Sequence, residues 1–305
     1  MTGLLVSCFP NAKALPLWIG CENGIFSDLD LQVALDHTTS SKAQRRDLEV
    51  ARVHIAQSAV DNALAMILQG VDVIIVAGGE GGMNQFIVQA DISTFADFRG
   101  RILAVDSPDT AYALQAKRLL ASHGLRANVD YFVEPVGNSE LRFQTLISSA
   151  RFGGAVLNPP FSAQARLHGL GSLGRLVDFL GPYQAGGAFL RRDWAAKNSD
   201  TVERYLQAYI EALRWMRNLG NRIAAVEILQ RRLGLSAEVA GASFEELIDL
   251  AAGFNRDAKL DPVGFANVLA TRAQVEGASD RLAASADYID ESYYRRALAS
   301  ADASA

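Results

Sequence analysis

The chain predicts an α/β fold of two lobes, with parallel-rich sheets flanked by helices and a helical final third. Three observations carry this. From residue 4 to about 185, short β-rich runs alternate with helical stretches, the pattern of parallel strands with helices packed on their faces. After residue 199 the apolar residues recur at i, i+3 and i+4 instead, which is helical spacing. A length of 305 residues also exceeds the usual size of one core, so two lobes of roughly 100–200 residues each are expected.

In order, strands are expected at 3–9 (GLLVSCF), 30–36 (DLQVALD), 53–59 (VHIAQSA) and 71–77 (VDVIIVA). Further strands follow at 84–89, 101–106 (RILAVD), 129–134, 154–158 (GAVLN) and 186–190. Helices fill 61–69, 109–123 and 139–150, and the last third carries "SDTVERYLQAYIEALRWMRNLG", "RIAAVEILQRRLG" and "VGFANVLATRAQVEG". Ser199-Asp200 and Gly220 are start and stop signals for the first of these. The end, "ASADASA", is expected to fray. There is no repeat and no low-complexity linker. Two glycine-rich segments, near 82–90 and near 183–187, each precede a short apolar run and mark chain crossings.

Composition removes several function classes. Hydrophobic residues make up 50% and charged residues 21%, which is globular material. A net charge of −5 argues against nucleic acid or an anionic membrane as partner. The doublets Arg45-Arg46, Arg191-Arg192, Arg231-Arg232 and Arg295-Arg296 are scattered beside acids or apolar positions, so they read as solvated helix faces. Two cysteines, Cys8 and Cys21, make neither a disulfide framework nor a zinc site. The longest apolar run, "VDVIIVAGG", is strand-sized, so no membrane insertion is expected. "MTGLLVSCFP" lacks a basic start and a cleavage site, so the sequence as it stands reads as cytoplasmic, or periplasmic if a leader has been removed.

"PNAKALPLWIGCENGIF" followed by "LDLQVAL", then "SAVDNALAMILQGVDVIIVAG" and "ISTFADFRGRILAVDSPDTAYALQAKRLLASHGL", resembles the solute-binding proteins of ABC importers. The branch is the one that handles nitrate, sulfonates and thiamine-pyrimidine precursors. The resemblance spans roughly residues 4–190. It implies a periplasmic-binding-protein-like fold whose two lobes close as a hinge over a small molecule. Lobe one would hold residues 1–85 and 190–305, and lobe two residues 86–189. ABC permease subunits would be the protein partners, the chain would be a monomer, and neither cofactor nor metal is implied.

Ligands in such sheets sit outside the carboxyl ends of strands. The first strand delivers Pro10 and Asn11; the second delivers His37 and then Thr38, Thr39, Ser40 and Ser41. The third ends at Ser58 with Asp61 and Asn62 behind it, and the fourth ends in Glu80. In lobe two, Ser107, Asp109 and Thr110 surround a helix start, with Pro108 suited to a first helical position. Asn158 and Phe161 follow a later strand, and Gln184 lies beside the second crossing. Ser107 and Asp61 serve equally well as helix caps, and Thr38 through Ser41 as a loop and cap. Acids (Asp36, Asp61, Glu80, Asp106, Asp109) outnumber the nearby bases Lys13, Lys42 and Arg45. An anionic ligand would want an arginine fork or free helix N-termini, so the expected ligand is neutral or nitrogen-bearing.

Catalytic templates for hydrolases, zinc proteases and nucleotide binding are missing. One enzymatic reading stays open: "SCFPNA" resembles a segment of desulfinases of this fold, where a Cys thiolate would be the nucleophile and His37 an activating base. In those enzymes the Cys lies one residue further from Pro-Asn, so strand alternation turns Cys8 to the other face. Their Arg-Gly-Gly segment is replaced by "QSAVDN", and the cysteine-rich run of the pyrimidine-precursor enzymes is absent. Free cysteines are among the most buried residue types, so Cys8 also reads as a small apolar wall residue. A decarboxylase-like enzyme and a non-transport ligand sensor are the remaining alternatives.

Overall fold

A computed structural model of the chain describes residues 1–277 and 288–304. Its first sheet comprises β1 (Thr2–Cys8), β2 (Leu31–His37), β3 (Ile55–Ala59), β4 (Val73–Gly78) and β10 (Gly186–Arg191), in the order β2-β1-β3-β10-β4. The second comprises β5 (Gln85–Val88), β6 (Ile102–Val105), β7 (Phe132–Pro135), β8 (Phe152–Leu157) and β9 (Gly171–Arg175), in the order β7-β6-β8-β5-β9.

Within each sheet the strands joined by helical crossovers run parallel: β1 beside β2 and β3, and β6 beside β7 and β8. The exceptions are β5 and β10, both antiparallel to their two neighbours. These strands follow the passages between lobes, so they enter from the far side rather than returning over a helix. Residue 186 already belongs to the first sheet, which sets the first crossing at 79–84 and the second between Arg175 and Gly186.

The helices are α1 (Leu15–Glu22), α2 (Ile25–Asp28), α3 (Ser41–Glu49), α4 (Asp61–Leu68), α5 (Ala111–Ser122), α6 (Ser139–Ser148) and α7 (Phe161–Leu167). They continue with α8 (Leu176–Leu180), α9 (Arg192–Lys197), α10 (Ser199–Arg217), α11 (Arg222–Leu233), α12 (Ala237–Ile248), α13 (Pro262–Glu276) and α14 (Ser292–Ala303). Local chemistry sets several starts. Ser40 Oγ accepts from Ala43 N at 3.1 Å, and Asn138 Oδ1 accepts from Leu141 N at 3.0 Å; such caps contribute about 1 kcal/mol each. Asp261 caps α13, with Pro262 at its first position.

Four apolar clusters pack the two faces of the two sheets, and strand alternation sorts residues among them. On β4, Ile74 and Val76 face one cluster while Val73 and Ile75 face the other; on β6, Leu103 and Val105 separate from Ala104 in the same way. The helical last third covers the first sheet: α10 buries Tyr205, Tyr209 and Leu213 in the same cluster as Leu4, Val6 and Trp18. The segment expected to fray is helical to Ala303, because Ala301 is buried and its carbonyl accepts from Arg214 Nη1 at 3.1 Å. Ala305 lies outside the described residues. Among the described residues no helix is long and apolar enough to cross a membrane.

Candidate functional site

A cavity opens between the carboxyl ends of the two sheets, with walls from both lobes. Its volume is about 90 Å³, room for a few waters or one small solute. From the first lobe come Asn11 after β1, Ser58 at the end of β3 and Asn62 on α4, with Ser41 at the start of α3. Glu80 rises from the first crossing, and Thr110 and Tyr112 face them from the second lobe. The floor is the bare backbone of Gly186 and Gly187. A Cβ on Gly187 would stand 2.5 Å from the Ala77 carbonyl oxygen, and one on Gly186 would stand 2.9 Å from Glu80 Cγ.

Six of the residues picked from strand ends therefore line one cavity: Asn11, Ser41, Ser58, Asn62, Glu80 and Thr110. The other eight do not, and most are occupied within the protein. Asp61 accepts from Arg272 Nε at 2.8 Å and Nη2 at 2.6 Å in a fully buried pair. Asp109 is paired with Arg45, and Asn158 Oδ1 accepts from Ser139 Oγ at 2.5 Å. Phe161 packs beside Phe143, and Gln184 bonds Gly186 O and Asp261 N. Ser40 caps α3, Thr39 is exposed and Pro10 is half-buried behind Asn11. Ser107 caps nothing: its Oγ donates to Asp109 Oδ1 at 2.5 Å, and Thr110 is the cap residue of α5.

The electrostatics centre on two cations that strand-end reasoning left out of the site. Lys13 Nζ reaches Glu80 Oε1 at 2.7 Å, Tyr112 OH at 3.0 Å and Asn84 Oδ1 at 3.3 Å. Burial works against this ammonium, but Glu80 and Tyr112 outweigh it and its pKa lies above the usual lysine value. Arg142, on the first turns of α6, is 3% exposed and lies over the Tyr112 ring at 5.2 Å. Its Nη2 donates to Ser139 Oγ at 2.7 Å, while Nη1 is buried without a partner. Burial pulls the guanidinium below its ordinary pKa, opposed by Asp106 and Tyr112. An arginine within the helical run "SELRFQTLIS" looks like surface; the usable signal was Asn138, a helix cap three residues beyond the end of β7.

Several contacts span the cleft in addition to the crossings, and three of them lie beside the cavity. Arg45 Nη2 meets Asp109 Oδ2 at 2.9 Å, Asp106 Oδ2 accepts from Ser41 N at 2.9 Å, and Lys13 reaches Tyr112. The lobes are thus latched together. Arg45 belongs to one of the doublets read as solvated helix faces; it is instead 8% exposed, because the opposite lobe covers it.

Cys8 touches the cavity at the end of β1 but is 2% exposed and belongs to the apolar cluster under α1 and α10. Burial, with the Asp36 charge and Cys21, pushes its thiol up to about 12. His37 is exposed and lies off the cavity wall. Among the described residues no three His, Cys, Asp or Glu side chains gather as a metal site would require.

Comparison with known proteins agrees with this architecture. The family model described as the NMT1-like family matches residues 2–230. No protein of curated function matches the chain in sequence. Among solved structures, the chain is similar to the periplasmic nitrate-binding protein NrtA from Synechocystis PCC 6803 at TM-score 0.81 and 15% identity, covering 98% of this chain and 89% of that one. It is similar to the ligand-binding component of an ABC-type import system from Staphylococcus aureus, solved with zinc bound, at TM-score 0.80 and 15% identity, with coverage of 97% and 99%. It is similar also to the alkanesulfonate-binding protein SsuA from Xanthomonas axonopodis pv. citri, bound to MOPS, at 0.75 and 14%, with coverage of 97% and 98%. At these identities the likeness establishes the periplasmic-binding-protein fold.

Proposed function

We propose, given that this chain belongs to the NMT1-like family, that its cleft closes over a small, net-neutral, nitrogen-bearing organic solute for an ABC-type uptake system. The lobes divide at the two crossings, residues 1–78 with 186–305 against 85–175, and the ligand lies between them. Asn11, Ser41, Ser58, Asn62, Glu80 and Thr110 contact it, joined by Lys13 and Arg142. The chain acts as a monomer that presents the loaded, closed form to permease subunits at the outer face of the membrane.

The observation that carries the ligand class is the charge balance of the cavity wall. Lys13 and Arg142 supply two positive charges, and Glu80 and Asp106 supply two negative ones. A net anion such as nitrate or a sulfonate would leave that balance one charge out inside a poorly solvated space, whereas a neutral or zwitterionic solute preserves it. The similar import proteins support the transport role. Closure selects the conformer in which Arg45, Asp109, Ser41 and Asp106 meet.

The high thiol pKa of Cys8 weighs against the enzyme alternative, since a thiolate nucleophile is scarce at neutral pH. Native mass spectrometry of the purified protein tests the proposal. A co-purified small nitrogen-bearing molecule, released unchanged on denaturation, is the expected result. Release of a chemically altered product, or a bound inorganic anion, would overturn it.

A further inference from the structure

Two hydrogen-bond chains of matching design end at the cavity, one in each lobe. In the first lobe, Gln44 Nε2 donates to the Ser7 carbonyl at 3.2 Å, which fixes Oε1 on its other side. That Oε1 accepts from Ser58 Oγ at 2.5 Å, so the serine proton is spent. Ser58 Oγ can then only accept, and it takes Asn62 Nδ2 at 3.5 Å. Asn62 Oδ1 is left outermost, buried and without a partner. The amide orientation follows from a backbone carbonyl rather than from choice.

In the second lobe, Asn158 Nδ2 donates to the Pro159 carbonyl at 3.2 Å and its Oδ1 accepts from Ser139 Oγ at 2.5 Å. Ser139 Oγ then accepts from Arg142 Nη2 at 2.7 Å, and Arg142 Nη1 is left outermost, buried and without a partner. Each chain thus runs backbone carbonyl, amide, serine, cavity group. One ends in a fixed acceptor and the other in a fixed donor. A buried polar group left unmatched costs about 1–3 kcal/mol, so both ends call for a complement.

We infer that the two chains impose a polarity on the solute: an N–H against Asn62 Oδ1 and an accepting oxygen against Arg142 Nη1. The solute class is therefore a small compound that carries both an N–H donor and an accepting oxygen, as in lactams, ureides, amides and amino acids. This rests on the reading of the cleft as a site for a nitrogen-bearing solute and adds the direction in which the solute lies. Ser58 and Gln44, with Ser139 and Asn158, are positioning residues. A solute bridging Asn62 and Arg142 also ties one lobe to the other, so the same contacts read the ligand and hold the closed form.

The test uses matched five- and six-membered lactams, lactones and cyclic amines, measured by calorimetry on the full chain. The wild type is expected to prefer the lactam over the lactone of the same size by roughly tenfold or more, the effect of one unmatched buried acceptor. Gln44→Leu frees the Ser58 proton to donate to Asn62, so the Asn62 amide can turn over and present Nδ2, and that preference should collapse while lactone binding is kept. A merely structural role for Gln44 would weaken both ligands alike. Arg142→Met should abolish the preference of lactam over cyclic amine. A wild type that binds lactone as well as lactam, or no member of the set, overturns the polarity. A co-purified nitrogen-bearing solute in the native mass spectrum would leave the broader reading standing even then; an inorganic anion there would sink both.

Discussion

Arg45 of α3 holds Asp109, just ahead of α5, across the mouth of the cleft at 2.9 Å, with only 10% of the arginine side chain exposed. The contact is one of several that join the lobes, beside those of Ser41 with Asp106 and of Arg272 with the Asp109 carbonyl, and it is the one at the mouth, so its loss should be read as a change of shape. Arg45→Met and Asp109→Asn are each expected to shift the population toward an open form, raising the radius of gyration in small-angle scattering. Solute affinity should fall about two- to fivefold, the scale of one partly exposed ion pair. An unchanged scattering curve in both variants would show that the pair does not latch the lobes.

The same latch has a defined pH response. Burial would raise the Asp109 carboxyl, but Ser107 and Arg45 outweigh it and hold it below the ordinary 3.8. A depressed folded pKa contributes stability above the unfolded value and loses it as pH falls through the folded one. The closed shape should therefore persist from neutrality to below pH 3.8 and open only under stronger acid. Scattering across that range checks this, and opening well above it would contradict the assignment.

Arg272 and Asp61 form the most deeply buried ion pair described, each 2% exposed, and Arg272 also donates to the Asp109 carbonyl at 2.9 Å. Arg272→Met should strand a buried carboxylate and cost about 3–5 kcal/mol, seen as a lower Tm. Pairing it with Asp61→Leu should recover most of that loss. A double variant as unstable as the single one would mean the pair's role is packing rather than charge.

Cys8 should behave as a wall residue. With its thiol at about 12 and 2% exposed, it should react with a disulfide reagent at pH 8 only upon unfolding. Cys8→Ala should leave solute binding within about twofold while lowering Tm modestly, by the packing lost from one small side chain. Rapid labelling of the native protein would reopen the nucleophile reading.

Strand ends were a good guide to the cavity because their position follows from alternation alone: β1 leads to Asn11 and β3 to Ser58 and Asn62 without knowledge of any partner. What the sequence hid was pairing over distance. Asp61 and Asp109 carry the same local signature as Glu80, yet their partners, Arg272 and Arg45, come from remote or seemingly solvated helices. Of these three, Glu80 alone stays on the cavity wall, paired with Lys13. Arg142 escaped for a related reason. Its burial is produced by Tyr112 of another helix, and no periodicity within its own helix announces it. The sheets' two antiparallel members were likewise invisible, since β5 and β10 look like any other apolar run.

The glycine floor bears on how this protein could change its diet over evolutionary time. Gly187 is pressed against the Ala77 carbonyl and Gly186 against the Glu80 side chain, so a side chain at Gly187 would displace backbone and one at Gly186 would push Glu80 from its place. Drift in solute preference must then proceed through the side walls, and duplicated copies of the chain should diverge there while their floors stay bare.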